Sequence, residues 1–322
     1  MAWQQDFLGP EFTSRPFSAA GPDGVARTAT LIRYRPATPA PGRNPKAAVL
    51  FLHGWSDYFF NTDLARFWES AGYAFYALDM HNHGRSLQPG SPGGYVADLA
   101  DYDPEISRAW DLIRADGAAG PLTLMGHSTG GLVASLWASR NPEALSGLVL
   151  NSPWLEMHGS HLVRRAASGL VGPLARRRPE TVLRLPERGF YWRTISSSAE
   201  GEWDLDDAYR PPMAFPVRAG WLSAILAGQA RVAKGLRLDV PVLVLLSQGS
   251  ANGMVWSEEM RRTDAVLDVH AIGARAFGLG TTVTVEKIGG ALHDVFLSPE
   301  KVRADAYARL ARWLRAYGSA GI

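Results

Sequence analysis

Cysteine is absent from all 322 residues, which excludes disulfides, thiolate nucleophiles and Cys-ligated zinc. Long apolar runs are absent too. No stretch approaches the roughly 18 consecutive apolar residues that a membrane-spanning helix needs, so stable membrane insertion is not expected. The first ten residues, Met1 to Pro10, have neither the basic nor the apolar region of a secretory leader, and we expect a soluble, cytoplasmic protein. Charge of either sign is scarce in excess: 33 Lys and Arg against 31 Asp and Glu leave a net charge of +2. That is too mild and too dispersed to suggest a nucleic-acid partner. Apolar content, by contrast, is plentiful at 46%, enough to bury a large core in a single domain carrying one insertion.

Short apolar runs closed by turn residues alternate with helical patterns. The runs are Ala47 to Leu52, Tyr73 to Leu78, Leu122 to Met125, Gly147 to Leu150, Val240 to Leu246 and Thr281 to Ile288. Most are almost continuously apolar, as expected of strands buried on both faces of a parallel sheet. Helical spacing runs over Asn61 to Ala71, Asp103 to Asp116, Thr129 to Ser139, Glu258 to Asp264, Ala271 to Phe277 and Pro299 to Tyr317. This order predicts an α/β protein with a doubly wound, mostly parallel sheet, in which functional residues gather at the carboxyl ends of the strands. The alternation breaks at residues 154–235, where no buried strand is evident but helical pieces are, among them His161 to Ala175 and Val217 to Val232. We expect residues 1–153 and 236–322 to form the core and 154–235 a helical cap over the strand ends. Pro36 to Pro45 reads as an exposed loop.

The most informative segment is Gly126-His127-Ser128-Thr129-Gly130. It follows an apolar run and precedes a helical pattern, the setting of a nucleophile elbow. A strand that turns sharply into a helix forces its corner residue into strained angles, and small neighbours let strand and helix approach. The corner serine is thereby presented to solvent, and the helix N-terminus after it favours negative charge.

A serine hydroxyl is a weak nucleophile near neutral pH and needs a base, which in turn needs an acid to orient it. Of the eight histidines, His293 is the best base, because it lies in a Gly-rich loop after the last strand and follows the serine in the chain order of this type of fold. His127 is expected to point away from the serine, and His53, His81 and His83 to serve loop structure. His81 and His83 have metal-like spacing but lack a third ligand. His158, His161 and His270 read as surface or cap residues. No carboxylate occurs in Ser247 to Gly253, directly after the Val240 to Leu246 run. The acid must come from further on. Asp264 is preferred and Asp268 is the alternative, while Glu258 and Glu259 read as helix-start residues. Two backbone amides are expected to hold the oxyanion: Thr129, after the nucleophile, and Trp55, in the His53-Gly54-Trp55 loop after the first apolar run.

In the cap, Trp154, Leu155, Trp192 and Trp221 are candidate substrate-binding residues, with Trp203 and Met213 adding apolar surface. Arg164, Arg165 and Arg176 to Arg178 lie among apolar residues, either as a cationic rim for anionic substrates or a lipid surface, or as a solvated helix face.

His53-Gly54, Asp79 to Ser86, Gly126 to Gly131, Asn151-Ser152-Pro153 and His293 together resemble the α/β-hydrolase superfamily, and within it the group of monoacylglycerol lipases, lysophospholipases and serine aminopeptidases. The resemblance implies serine-dependent hydrolysis of a small-molecule carboxylic ester, with Ser128 as nucleophile, His293 as base, Trp55 and Thr129 as oxyanion donors, and no cofactor. Ser250 stands where many members of that group have an aspartate, which leaves Asp264 or Asp268 as the acid. An aminopeptidase-like activity would use an acidic cluster, Glu200, Glu202, Asp204, Asp206 and Asp207, to hold a substrate amine. A non-catalytic binding protein on the same fold is a third expectation.

Overall fold

The computed structural model describes residues 2–21, 23–38, 47–118, 120–157, 169, 171–185, 188–251 and 253–318. Nine strands form one sheet: β1 (Gln4–Gln5), β2 (Phe12–Ala20), β3 (Ala26–Tyr34), β4 (Ala48–Leu52), β5 (Ala74–Asp79), β6 (Leu122–His127), β7 (Leu145–Asn151), β8 (Val242–Ser247) and β9 (Val283–Ile288). Their order across the sheet is β1-β2-β3-β5-β4-β6-β7-β8-β9. From β5 to β9 every pairing is parallel, and these six strands are the six apolar runs. The antiparallel edge β1-β2-β3, paired to β5, was not expected. Its strands are only partly buried and β2 carries Pro16, so they lack the continuous apolar signature that two-sided burial imposes.

Alternate residues of the central strands feed two cores. Leu50, Leu52, Leu124, Leu148, Leu150 and Val244 face α2 (Asp103–Ala115) and α3 (Thr129–Arg140), while Val49, Phe51, Met125, Val149, Leu243 and Leu245 face α1 (Thr62–Ser70) and the C-terminal helix Glu300–Tyr317. Both faces of the central strands are covered, and their ends are left as the place where loops meet.

Among the described residues, 154–235 adds no strand to the sheet. It contributes α4 (Phe190–Ile195), α5 (Ala219–Val232) and helical backbone over 171–177; most of the remaining expected helix, and the Pro36 to Pro45 loop from 39 onward, lie outside the described residues. The helix expected over Glu258 to Asp264 is only a 3₁₀ turn, Glu258–Arg262, with Glu258 and Glu259 in its first turn. Asp264 cannot continue it because its backbone is committed elsewhere: its N–H donates to Gly249 and its carbonyl accepts from Ala251. No helix among the described residues is long and apolar enough to cross a membrane.

Candidate active site

Ser128 sits between β6 and α3 with φ 51° and ψ −117°, a strained conformation for a residue with a side chain. Close approach maintains it: a methyl group on Gly130 would lie 2.2 Å from the His53 carbonyl oxygen, so only glycine lets α3 start against the loop after β4. The Ser128 amide donates to the Asn151 carbonyl at 3.0 Å.

His293 lies in the loop after β9, its Nε2 3.0 Å from Ser128 Oγ and its Nδ1 2.9 Å from Asp264 Oδ2. A carboxylate can only accept, so Nδ1 carries the proton, and Nε2 is left to accept from the serine hydroxyl. Asp264 is fully buried, and its other oxygen accepts from the amides of Val266 and Leu267 at 2.8 and 2.7 Å. Those bonds fix the carboxylate beside the imidazole. The acid reaches this place through a parallel bridge between Ser250 and Asp264, which lays the later segment beside the turn after β8. Asp268 does something else. It caps α6 (Val269–Ala276), accepting from the amides of His270 and Ala271 at 3.0 and 3.2 Å.

The loop after β4 closes the other side. A methyl on Gly54 would touch Ser128 Cβ at 3.3 Å, so the loop reaches the elbow directly. Trp55 is held by its indole N–H, which donates to the Gly94 carbonyl at 3.1 Å, and by stacking on Trp221 at 4.4 Å. No acceptor among the described residues takes the amide of Trp55 or of Thr129. A cavity of about 680 Å³ opens over these groups, lined by Ser128, His293, Trp55 and Thr129 and by Trp154, Trp192, Trp221 and Met213. Leu155 is a correction: it is wholly buried in the core cluster and does not line the cavity. Trp203 likewise turns away, its indole donating to the Leu297 carbonyl.

Three residues matter more than their sequence context suggests. Asn151, at the end of β7, donates to the Asp294 carboxylate at 2.6 Å and accepts from the Val295 amide at 3.1 Å, pinning the loop of His293 as its carbonyl pins Ser128. His127 does not point out of the site; its ring lies 4.9 Å from that of His293 and lines the cavity. Burial lowers its pKa to about 4, so it is a neutral neighbour. Tyr191 meets the His293 ring edge-on at 5.0 Å.

The other histidines serve the loops. His53 Nδ1 donates to Gly54 and its Nε2 accepts from Met80; His81 bonds Glu105, and His83 donates to the His81 carbonyl. No cluster of three metal-ligating side chains occurs among the described residues. His158, His161, Arg164 and Arg165 lie outside the described residues, while Arg176 to Arg178 and His270 are exposed. None of the five acidic residues proposed to hold an amine lines the cavity. Glu200 pairs with Arg193 and Arg261, Glu202 with Arg303, and Asp204 and Asp207 accept from Ser197 and Trp192.

A family model described as serine aminopeptidase, S33, matches residues 43–265. The chain is 28% identical over 137 residues to the monoacylglycerol lipase of Mycolicibacterium smegmatis, covering 42% of this chain and 48% of that one, so the match spans about half of that relative's length. To the monoglyceride lipase of Mus musculus it is 27% identical over 214 residues, 66% of this chain and 67% of the relative. A thermostable carboxyl esterase from Bacillus coagulans, solved with glycerol, superposes with a TM-score of 0.67 at 17% identity over 94% of this chain and 98% of the other, a likeness of fold.

Proposed function

This chain belongs to the serine aminopeptidase S33 family of α/β-hydrolases, and from that premise we propose that it hydrolyses carboxylic esters through an acyl-enzyme on Ser128. The observation that carries this reading is the unbroken relay from Asp264 through His293 to Ser128, with bonds of 2.9 and 3.0 Å. His293 takes the proton as Ser128 Oγ attacks the ester carbonyl, and the amides of Trp55 and Thr129 receive the charge that develops on oxygen. The imidazolium then protonates the departing alcohol. Water, deprotonated by the same imidazole, attacks the acyl carbon and releases the acid and the free serine.

Residues 154–235 act as a cap that brings Trp154, Trp192 and Trp221 over the acyl or alcohol group and excludes water. Relatives named monoacylglycerol and monoglyceride lipase favour small amphiphilic esters as substrates. A second reading, amide hydrolysis, has the family description in its favour, but none of the acidic residues it would use lines the cavity, and they are bonded to arginines, other side chains and backbone. A non-catalytic role had only the missing acid after β8 behind it, and the Asp264 carboxylate 2.9 Å from His293 Nδ1 speaks against it. A fluorophosphonate is expected to label Ser128, and p-nitrophenyl esters and monoacylglycerols to be hydrolysed far faster than aminoacyl amides. Preferential cleavage of the amides, or no labelling, would overturn the proposal.

A further inference from the structure

Among the contacts that tie the loop after β4 to the inserted segment, two are made at Ser56 and Asp57. Arg210 forms a buried ion pair with Asp57, and the Phe215 amide donates to Ser56 Oγ at 3.0 Å. Between Trp55 and Asp57, Ser56 has φ 54°, a conformation that its surroundings must hold in place. The other side of Arg210 faces Tyr191. Its guanidinium lies 4.9 Å from the centre of the Tyr191 ring, the ring whose edge meets His293, and the Tyr191 hydroxyl is 3.5 Å from His127 Nε2. Arg210 therefore stands between the two halves of the site, touching the oxyanion loop through Asp57 and the base through Tyr191.

A buried ion pair is a poor way to gain stability, since its desolvation offsets most of its attraction. What a planar guanidinium adds is direction, because it bonds its carboxylate in a fixed plane and stacks on a ring at the same time. We propose that Arg210 is a positioning residue: through Asp57 it sets the orientation of the Trp55 amide in the oxyanion hole, and through Tyr191 it keeps the His293 ring in register with Ser128. The inserted segment then supports the chemistry as well as covering it. This rests on the ester-hydrolase reading above.

The test is a double variant, Asp57→Asn with Arg210→Gln, which removes both charges of the pair together. On a short p-nitrophenyl ester, kcat is expected to fall roughly 10- to 100-fold with KM changed by less than about threefold, the cost of a misplaced rather than missing group. Affinity for a trifluoromethyl ketone, which forms a tetrahedral oxyanion on the serine, should fall by the same factor, while affinity for the carboxylic acid product should not. A purely structural role would lower thermal stability and leave kcat and ketone affinity at parental values, and that result overturns the proposal. Arg210→Lys keeps the charge but loses the planar fork, and is expected to retain a loss of roughly 3- to 10-fold in both readouts. If the double variant does not fold, parental kcat and ketone affinity in Arg210→Lys overturn the proposal alone. Fluorophosphonate labelling of the parent separates the two levels. An unlabelled parent removes the hydrolase reading and this inference with it, whereas a labelled parent with indifferent variants removes only this inference.

Discussion

The sheet and the inserted segment meet over one cavity but are built on different principles. Ser128 stands just beyond the wholly buried β6, its amide bonded to Asn151 of β7, Asp264 is laid beside the turn after β8 by a backbone bridge to Ser250, and His293 lies in the loop after β9. The insertion adds no strand among its described residues and reaches the site through separate contacts, among them the side chains of Tyr191, Arg210 and Trp221 and the amide of Phe215. It also leaves Leu185 and Met213, both on the cavity wall, more than half exposed, at 53% and 55%. The contrast separates tasks. Chemistry that tolerates errors well below an ångström is seated on the rigid ladder, while on our proposal the insertion adds the substrate contacts and, through Arg210, a second source of orientation.

The contrast is broken most severely from the sheet side. Ser128→Ala should reduce kcat on a p-nitrophenyl ester by about a million-fold while leaving the fold intact, because the nucleophile and base act as one unit. Retained turnover would mean that the cavity's chemistry lies elsewhere. Next in size is Asp264→Asn, expected to cost about 10⁴-fold in kcat by favouring the wrong tautomer of His293. Steady-state kinetics of the purified variants decide both.

Much of the sheet side was legible in the sequence, because two-sided burial writes itself as apolar runs and the elbow needs its glycines. The parallel strands β4 to β8 and Ser128 follow from that, whereas β9 is only partly buried and His293 is marked by its Gly-rich loop and late place in the chain. Asp264 was harder to assign: the carboxylate is delivered to the end of β8 by a backbone bridge to Ser250, and a bridge between two irregular segments has no periodicity to read. The antiparallel edge escaped because half-buried strands alternate weakly. Contacts from the insertion were the least legible. Arg210 and Asp57 are 153 residues apart, and nothing local to either marks the partner. Leu155 shows the same limit at short range, since it neighbours Trp154 on the cavity wall yet turns fully into the core.

Acid should weaken the sheet side through His127. Burial holds this imidazole at a pKa of about 4, below its ordinary 6.5, against the opposing pull of Asp294. Between those values the unfolded chain binds a proton that the folded protein refuses. Stability from this group is therefore complete above about pH 6.5 and is lost as pH falls toward 4, by at most about 3 kcal/mol. His83, whose pKa burial also depresses, acts in the same direction. Urea unfolding midpoints across this range should show the fall, and His127→Gln should flatten it; an unchanged slope would refute the assignment.

From the insertion side the expected effect is smaller and of another kind. Trp221→Ala removes the partner on which Trp55 stacks and opens the cavity wall. The ratio of kcat/KM between long- and short-chain esters should shift by about tenfold, with reactivity of Ser128 toward a small fluorophosphonate changed far less. A loss that is uniform across the ester series would instead place Trp221 with the supporting residues.

The smallest effect sharpens the comparison within the sheet region itself. Asp268 is only four positions beyond the acid of the relay, yet its carboxylate is bonded to the first amides of α6, groups that no helix can satisfy internally. Asp268→Ala should therefore cost about 1 kcal/mol of stability, as loss of a helix cap does, and leave kcat and KM at parental values. Denaturant unfolding and ester kinetics on the same preparation test both halves. A large fall in kcat without loss of stability would mean that Asp268 takes part in the chemistry, and the bond between Asp264 and His293 would then need a different explanation.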